Sequence, residues 1–411
     1  MLINNKGIIK KGKRITTVEA MFLFSYALYI VQRFIVNSAL RDVVPFWFRR
    51  GSKILIIVLL VMSLVVERKV SKQALKKTVM AISIGLAVSL VSSYANMICI
   101  VLFLIIAQFV DFDRIIKISI YTNAIMTMLV VAMCVAGELP NYEYRHYSLF
   151  HKMRITVYSY GFLHYSTPSY IIFFISILLL YYRRGKIASF FALGINLLSY
   201  FVFTTKLPFI LAFVFIFMLN LLSDTRVFEK APKSISRIFS FMPLLLLGIT
   251  YFLSRFYNSG NGWMLALNKA LSDRLYQGKV GLSKFGVGLF GKEFEMVGVY
   301  ALGTEGLNLE DYIYIDSDYL YMLLRYGIIF TLFIIIIYIV MLRTFIEKKY
   351  YYFISWTIIC LLFAVSNWCL YVIEFNPLIF AGMGLFTGGS VTNNPGNEKI
   401  LIKKSCPIEK L

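Results

Sequence analysis

Apolar residues in this chain come in long unbroken runs, parted by short stretches that are polar and mostly basic. The runs fall near 17–35, 54–66, 78–92, 95–110, 118–139, 168–182, 187–205, 207–223, 239–257, 319–342, 351–373 and 377–390. A helix of about 18 to 20 apolar residues crosses the roughly 30 Å of a bilayer's hydrocarbon, and several of these runs reach that length. They are continuous and do not alternate with period two, so they predict helices and speak against a transmembrane β-barrel. The stretch 78–110 is too long for one helix, and the small, polar SSYAN at 92–96 offers a turn that splits it. The pattern predicts an all-α, polytopic membrane protein of about 12 transmembrane helices. It reads as a single integral membrane domain over residues 1–411.

Composition agrees. The 411 residues are 59% apolar and 17% aromatic, with a mean hydropathy of +0.74, whereas soluble domains run nearer half apolar. The formal charge of +21 would point to nucleic acid in a soluble protein. Here the charge lies between apolar runs, as in proteins oriented by the positive-inside rule, and no nucleic-acid partner is expected. With the amino terminus inside, the inner segments are ERKVSKQALKK (67–77), DFDRIIK (111–117), YYRRGK (181–186), SDTRVFEKAPKSISR (223–237) and RTFIEKKYY (343–351). Together with the tails 1–16 and 391–411, both expected in the cytoplasm, they hold roughly 26 of the 42 Lys and Arg. The basic start MLINNKGIIKKGKR precedes a long span without a small-residue cleavage signal and reads as a tail.

Two long segments then face outward: an outer loop at 140–167 and a large outer loop at 258–318. The chemistry is expected there. No internal repeat is visible, and acids within the spans are almost absent apart from Glu374, which speaks against duplicated-half and ion-coupled carriers. The five cysteines are scattered, mostly inside apolar runs and without a CxxC, and read as small buried hydrophobes. Histidines 146, 151 and 164 lack the cysteine or histidine companions of a zinc site, so neither metal nor cofactor is expected.

Arg154, His164, Lys206, Arg255, Arg274 and Arg325 all fall on outer loops or outer helix ends. Any one of them can be a solvated or snorkelling charge. As a set they read as a site for an anion at the membrane surface, because a guanidinium fork matches phosphate oxygens and Lys adds a mobile point charge. Lys206 stands in the tight turn TTKLPF (204–209). The opening of LSDRLYQGKVGLSKFGVGLFGKEFE (271–295), with Ser272, Asp273 and Arg274, reads as a capped helix start. Its glycines 286, 288 and 291 predict a turn back toward the membrane. In YIYIDSDYLYMLLRYGII (312–329), Asp316 and Asp318 are expected to cap a helix entry, with Arg325 about two turns in, where it needs an anion or a water-filled cavity. Tyr158, Tyr160, Phe162, Tyr165 and Tyr170 read either as an interfacial aromatic belt or as a platform for sugar rings.

These stretches resemble a known family. RITVYSYGFLHYS (154–166) is similar to the R-x-S-[FY]-G-F-x-H-P-N outer-loop pattern of bacterial capsule and O-antigen polymerases, the Wzy family. LSDR…FGVGLFG resembles their GR…P-x-x-G-x-G loop, DSDYLYMLLRYGII their D-[NS]-x-Y-L-x-L-L-x-x-Y-G entry to a late span, and TTK their T-x-S-R turn. His164 is followed by Tyr165 and Ser166 where that pattern has Pro-Asn, and Lys206 stands where Arg is usual, so a point charge replaces a bidentate fork.

The resemblance implies a GT-C-like membrane glycosyltransferase that joins repeat units carried on undecaprenyl diphosphate at the outer face of the bacterial cytoplasmic membrane. It would invert the anomeric carbon and need no metal. The partners implied are undecaprenyl-diphosphate-linked oligosaccharide repeat units and the lipid bilayer; docking of a chain-length regulator or a flippase is left open. Arg154 and Arg274 are the expected diphosphate ligands, supported by Lys206 and Arg325. His164 is the expected general base, with Asp316 or Glu305 as substitutes. Tyr160 and Asp316, like Lys206 and Arg325, are expected among the substrate-binding residues. An O-antigen-type ligase and a lipid-linked oligosaccharide flippase are the alternatives.

Overall fold

A computed structural model of the chain describes residues 15–66, 72–94, 96–148, 153–183, 185–225, 233–297, 313–387, 390–394 and 397–403. Both loops and tails are therefore seen in part, and Glu305 lies outside the described residues. In chain order, α1 (Thr17–Val36), α2 (Leu40–Val43), α3 (Phe46–Val66), α4 (Lys72–Val91), α5 (Asn96–Ala107) and α6 (Phe112–Val135) precede a hairpin of β1 (Glu143–Ser148) and β2 (Met153–Tyr158). Next come α7 (Thr167–Tyr182), α8 (Lys186–Phe203), α9 (Lys206–Thr225), α10 (Lys233–Phe239), α11 (Met242–Arg255), α12 (Gly262–Ala270) and α13 (Arg274–Phe285). α14 (Asp318–Tyr321) runs through a π-helical turn, Met322–Tyr326, into α15 (Gly327–Lys348). α16 (Tyr351–Phe363), α17 (Leu378–Phe386) and a hairpin of β3 (Ser390–Asn394) and β4 (Asn397–Lys403) follow.

The protein is mostly helical. Among the described residues, four helices are long and apolar enough to cross a membrane: Thr17–Val36, Phe112–Val135, Lys186–Phe203 and Asp318–Lys348. Asn96–Ala107, Thr167–Tyr182, Lys206–Leu222, Met242–Arg255 and Tyr351–Phe363 are apolar but shorter. The helix positions follow the apolar runs, and the expected split of 78–110 is a turn at 92–93. Helices α5, α15 and α16 are apolar and largely buried all round, which marks them as the centre of the bundle. α8 instead shows Phe190, Leu198 and Phe201 on an exposed apolar face, at 76%, 65% and 69% exposure. A face of that kind fits hydrocarbon and does not fit water.

Side-chain and backbone contacts define two ends of the bundle. At one end Glu19 pairs with Arg114, Tyr182 Oη donates to the Asp113 carbonyl (2.9 Å), and Lys77 donates to the Phe386 carbonyl. At the other, Ala39 N donates to Gly161 O (2.8 Å), Leu163 N to Asn37 O (3.1 Å), and Tyr94 packs on Tyr326. This second end, which carries the described parts of 136–166 and 256–317, is called the loop face below.

Two features depart from the expectation. The outer loop 140–167 contains an antiparallel hairpin, in register from Glu143–Tyr158 to Ser148–Met153. The run 351–373 is helical only to Phe363, and residues 364–377 form an irregular ribbon before α17. Asp318, with its N–H on the Ala364 carbonyl, binds this ribbon: its Oδ2 accepts from Cys369 N (2.8 Å) and Leu370 N (2.6 Å). Tyr338 Oη donates to Leu370 O (2.9 Å), Tyr26 Oη to Ile373 O (2.7 Å) and Asn123 Nδ2 to Glu374 O (2.9 Å). Non-helical backbone inside an apolar bundle survives only when its polar groups are satisfied in this way.

Candidate functional site

Arg274 opens α13. Ser272 and Asp273 before it adopt left-handed backbone, with φ of 54° and 63°. Asp273 makes no side-chain cap, contrary to expectation. Asn268 of α12 takes that place: its Oδ1 accepts from Tyr276 N (3.0 Å) and its Nδ2 donates to Asp273 Oδ1 (2.7 Å). The kinked start directs the guanidinium onto the ribbon. Arg274 Nε donates to the Ser366 carbonyl (2.8 Å), Nη1 to Leu271 O (2.9 Å), and Nη2 lies 3.1 Å from Asp316 Oδ2. Two of its five N–H groups remain for a ligand.

Asp316 therefore does not cap a helix. It is the counter-ion of Arg274, and Asp318, also expected as a cap, is the buried clamp on the ribbon. Burial pushes the Asp316 carboxyl up from its ordinary range, against the pull of the Arg274 guanidinium.

The turn after β2 reaches the same place. Tyr160 has a left-handed φ of 49°, its N–H donates to Asn141 Oδ1 (2.8 Å), and its ring meets Phe203 edge-on at 5.4 Å. Gly161 follows at φ 85°, where a Cβ would press on Val130. His164 is exposed and stacks on Tyr165 at 4.6 Å; Tyr144 stands 5.7 Å from His164 and 5.6 Å from Tyr165. Burial raises the Tyr165 phenol, while Arg274 nearby opposes the shift and Asp316 adds to it. Tyr170 is within reach of the same two charges. An aromatic wall, an imidazole and an arginine–aspartate pair thus share one corner of the loop face.

The Ser166 amide points at His164 Nδ1 (3.3 Å), and Ser166 Oγ lies 2.7 Å from it. An amide only donates, so Nδ1 presents its lone pair and the neutral ring carries its proton on Nε2. In this arrangement the imidazole offers a donor on its Nε2 edge; action as a base through Nε2 requires the other tautomer.

The other expected residues are placed separately. Arg154 lies on β2 opposite Tyr147, and its side chain lies outside the described residues. Lys206 begins α9, and no hydrogen bond or ion pair of its ammonium is found among the described residues. Arg325 sits in the π turn, its guanidinium 5.5 Å from the Phe294 ring centre and bonded to the Phe294 carbonyl. No contact among the described residues joins Arg325 to Arg274.

Nonetheless the segments that carry the motifs touch one another. Gly291 and Gly327, at φ 82° and 83°, cross so closely that a Cβ on either would run into backbone of the other segment. Lys292 N donates to Arg325 O (3.2 Å), Ile328 N to Gly288 O (3.0 Å) and Ile329 N to Leu289 O (3.1 Å). Beside Tyr160, an apolar groove of about 630 Å³ runs between α6, α7 and Phe203, lined by Met128, Val131, Val135 and Ile172.

Several residues of this face were not singled out from the sequence. Arg33 is paired with Glu374 at 2.7 Å, and Arg49, Arg50 and Lys53 open α3 at the same end. A tally of cations on every turn of the loop face, short ones included, would have found them. Comparison with protein families, with curated proteins and with solved structures found no match.

Proposed function

We propose that this chain is a polysaccharide polymerase of the capsule and O-antigen kind, joining undecaprenyl-diphosphate-linked repeat units at the outer face of a bacterial cytoplasmic membrane. The observation that carries the reading is the meeting of the motif segments on one face. Tyr165 lies beside Arg274 and Asp316, Tyr160 beside the 203–206 turn, and Gly291 against Gly327. These segments are far apart in sequence, and a shared site is a reason for their contact. On this reading both termini are cytoplasmic and the loop face is the outer one.

The chemistry asked of the site is modest. The departing lipid diphosphate needs charge stabilisation in a desolvated place, which the two spare N–H groups of Arg274 and the Nε2–H of His164 supply. Asp316, held near Arg274 with a raised carboxyl, is suited to accept the proton of an attacking sugar hydroxyl. Tyr144, Tyr160 and Tyr165 offer ring faces and hydroxyls to the glycan. The groove beside Tyr160 fits an isoprenoid chain. No metal is required.

Deleting the gene in its polysaccharide-producing host tests the reading. Single repeat units in place of long chains are expected, and unchanged chain length would overturn it. Long chains that are made but never attached would indicate the ligase variant. One observation favours a flippase instead: the irregular ribbon, which carries the buried Glu374, interrupts an apolar bundle, as in transporters built on broken helices. Repeat units trapped on the inner leaflet after deletion would favour that reading.

A further inference from the structure

A second cationic cluster meets the same ribbon as Arg274. Arg325 Nε is buried with no hydrogen-bond partner, and among the described residues no carboxylate pairs with this guanidinium. Glu293 and Glu295, either side of Phe294, are exposed and form no ion pair with it. Tyr321 connects this arginine to the rest of the cluster. Its ring lies 6.2 Å from Phe294, 5.6 Å from Tyr326 and 4.6 Å from Trp368 of the ribbon. It is within electrostatic reach of Arg325 and of Arg33.

Arg33 stands at the loop-face end of α1, 19% exposed and bonded to Glu374, which is 2% exposed. Tyr94 lies within reach of Arg33 and packs on Tyr326 at 5.7 Å. Lys53 of α3, partly buried, faces Arg33. Three cations are thus linked, Lys53 to Arg33 directly and Arg325 to Arg33 through the ring of Tyr321, and the one carboxylate found among them is Glu374, bonded to Arg33. Like charges gathered without enough counter-charge repel one another, and a partly buried guanidinium without an acid is costly. An anion relieves both.

We propose that Arg33, Lys53 and Arg325, framed by Tyr94 and Tyr321, form a second anion site that takes the phosphate or diphosphate head of a lipid, separate from the Arg274 site. The cations supply the charge and the tyrosine hydroxyls supply donors. The cluster sits at the loop-face ends of apolar helices, where a lipid headgroup would lie with its chain along the bundle. The existence of this site does not depend on the polymerase reading. Its role does: there it holds the second lipid-linked unit, so that both heads lie against the ribbon 364–377.

Titration of the purified full chain in detergent with farnesyl diphosphate tests the site, with inorganic pyrophosphate as the soluble comparison. One bound equivalent should weaken at least tenfold in Arg325→Gln and persist in Arg274→Gln. The double substitution Arg33→Gln, Glu374→Gln removes both charges of the buried pair and should weaken the same equivalent. Unchanged binding in Arg325→Gln, with the chain folded, would overturn the site. Loss of one and the same equivalent in Arg325→Gln and Arg274→Gln would overturn its separateness. Pyrophosphate binding as tight as farnesyl diphosphate would overturn the lipid assignment. Full-length polysaccharide from cells carrying Arg325→Gln would remove the substrate role while leaving the anion site in place.

Discussion

Arg274 and Arg325 lie on the same face, each in a segment with a motif-like sequence, yet their surroundings are opposite. Arg274 is neutralised by Asp316 and bonded to two carbonyls, so it is held in one pose. Arg325 lies over a phenyl ring, bonds one carbonyl and has no acid partner among the described residues. A neutral pair beside an imidazole and tyrosines suits charge that develops during a reaction. An uncompensated cation suits a ligand that arrives already charged. Placement on one face is fixed by topology, but the task of each arginine is fixed by its counter-charge.

The comparison breaks most completely where both regions share a support. Asp318 holds the ribbon that meets Arg274 at Ser366 and Tyr321 at Trp368. Asp318→Ala leaves two buried N–H groups without an acceptor and should cost on the order of 3 kcal/mol, read as a fall in thermal unfolding temperature in detergent. Asp318→Asn keeps one acceptor oxygen and should lose less. Gly327→Ala meets both a left-handed φ of 83° and the backbone of Gly291, and a loss of about 3 kcal/mol is expected by the same measurement.

The next effect separates the two arginines. Arg274→Ala should abolish chain extension while membrane levels of the protein stay intact, read from polysaccharide length on gels. A smaller loss is expected for His164→Ala, about 100-fold in transfer rate. His164→Gln keeps an N–H donor and should recover part of it, if the ring acts through Nε2–H.

The smallest effect is in pH. The Asp316 carboxyl is raised by burial, so it protonates at higher pH than an ordinary aspartate. Protonation removes the charge opposed to Arg274, and anion affinity there should rise as pH falls from neutral. Release of one partly exposed ion pair is worth about 1 kcal/mol or less, so about fivefold is the ceiling. Asp316→Asn should bind pyrophosphate with that gain already present and should lose this part of the pH dependence, while the part due to His164 and to pyrophosphate itself remains.

Helix positions were legible because long apolar runs have few other uses. The pairing of β1 with β2 is not evident from the apolar pattern, although MRITVY carries β-branched and aromatic residues in the strand manner. The break after Phe363 was hidden because AVSNWCLYVIEF is nearly as apolar as a span; Asn376 and Pro377 were the visible warning. What ends the helix is a set of distant side chains, Asp318, Tyr26, Asn123 and Tyr338, that no local pattern displays. The same distance explains Asp316 and Asp318: local spacing reads them as caps, whereas Arg274 and the ribbon claim them. Arg33 was passed over because it sits at the end of an apolar run, where a single cation reads as snorkelling.

Reconstitution of the purified chain in proteoliposomes with one polyprenyl-diphosphate-linked repeat unit tests the central claim most directly. Wild-type protein should convert it to a ladder of longer glycans with release of the lipid diphosphate, and Arg274→Ala should leave single units. A ladder of equal length from Arg274→Ala, or no ladder from folded wild-type protein given its native repeat unit, would contradict the account.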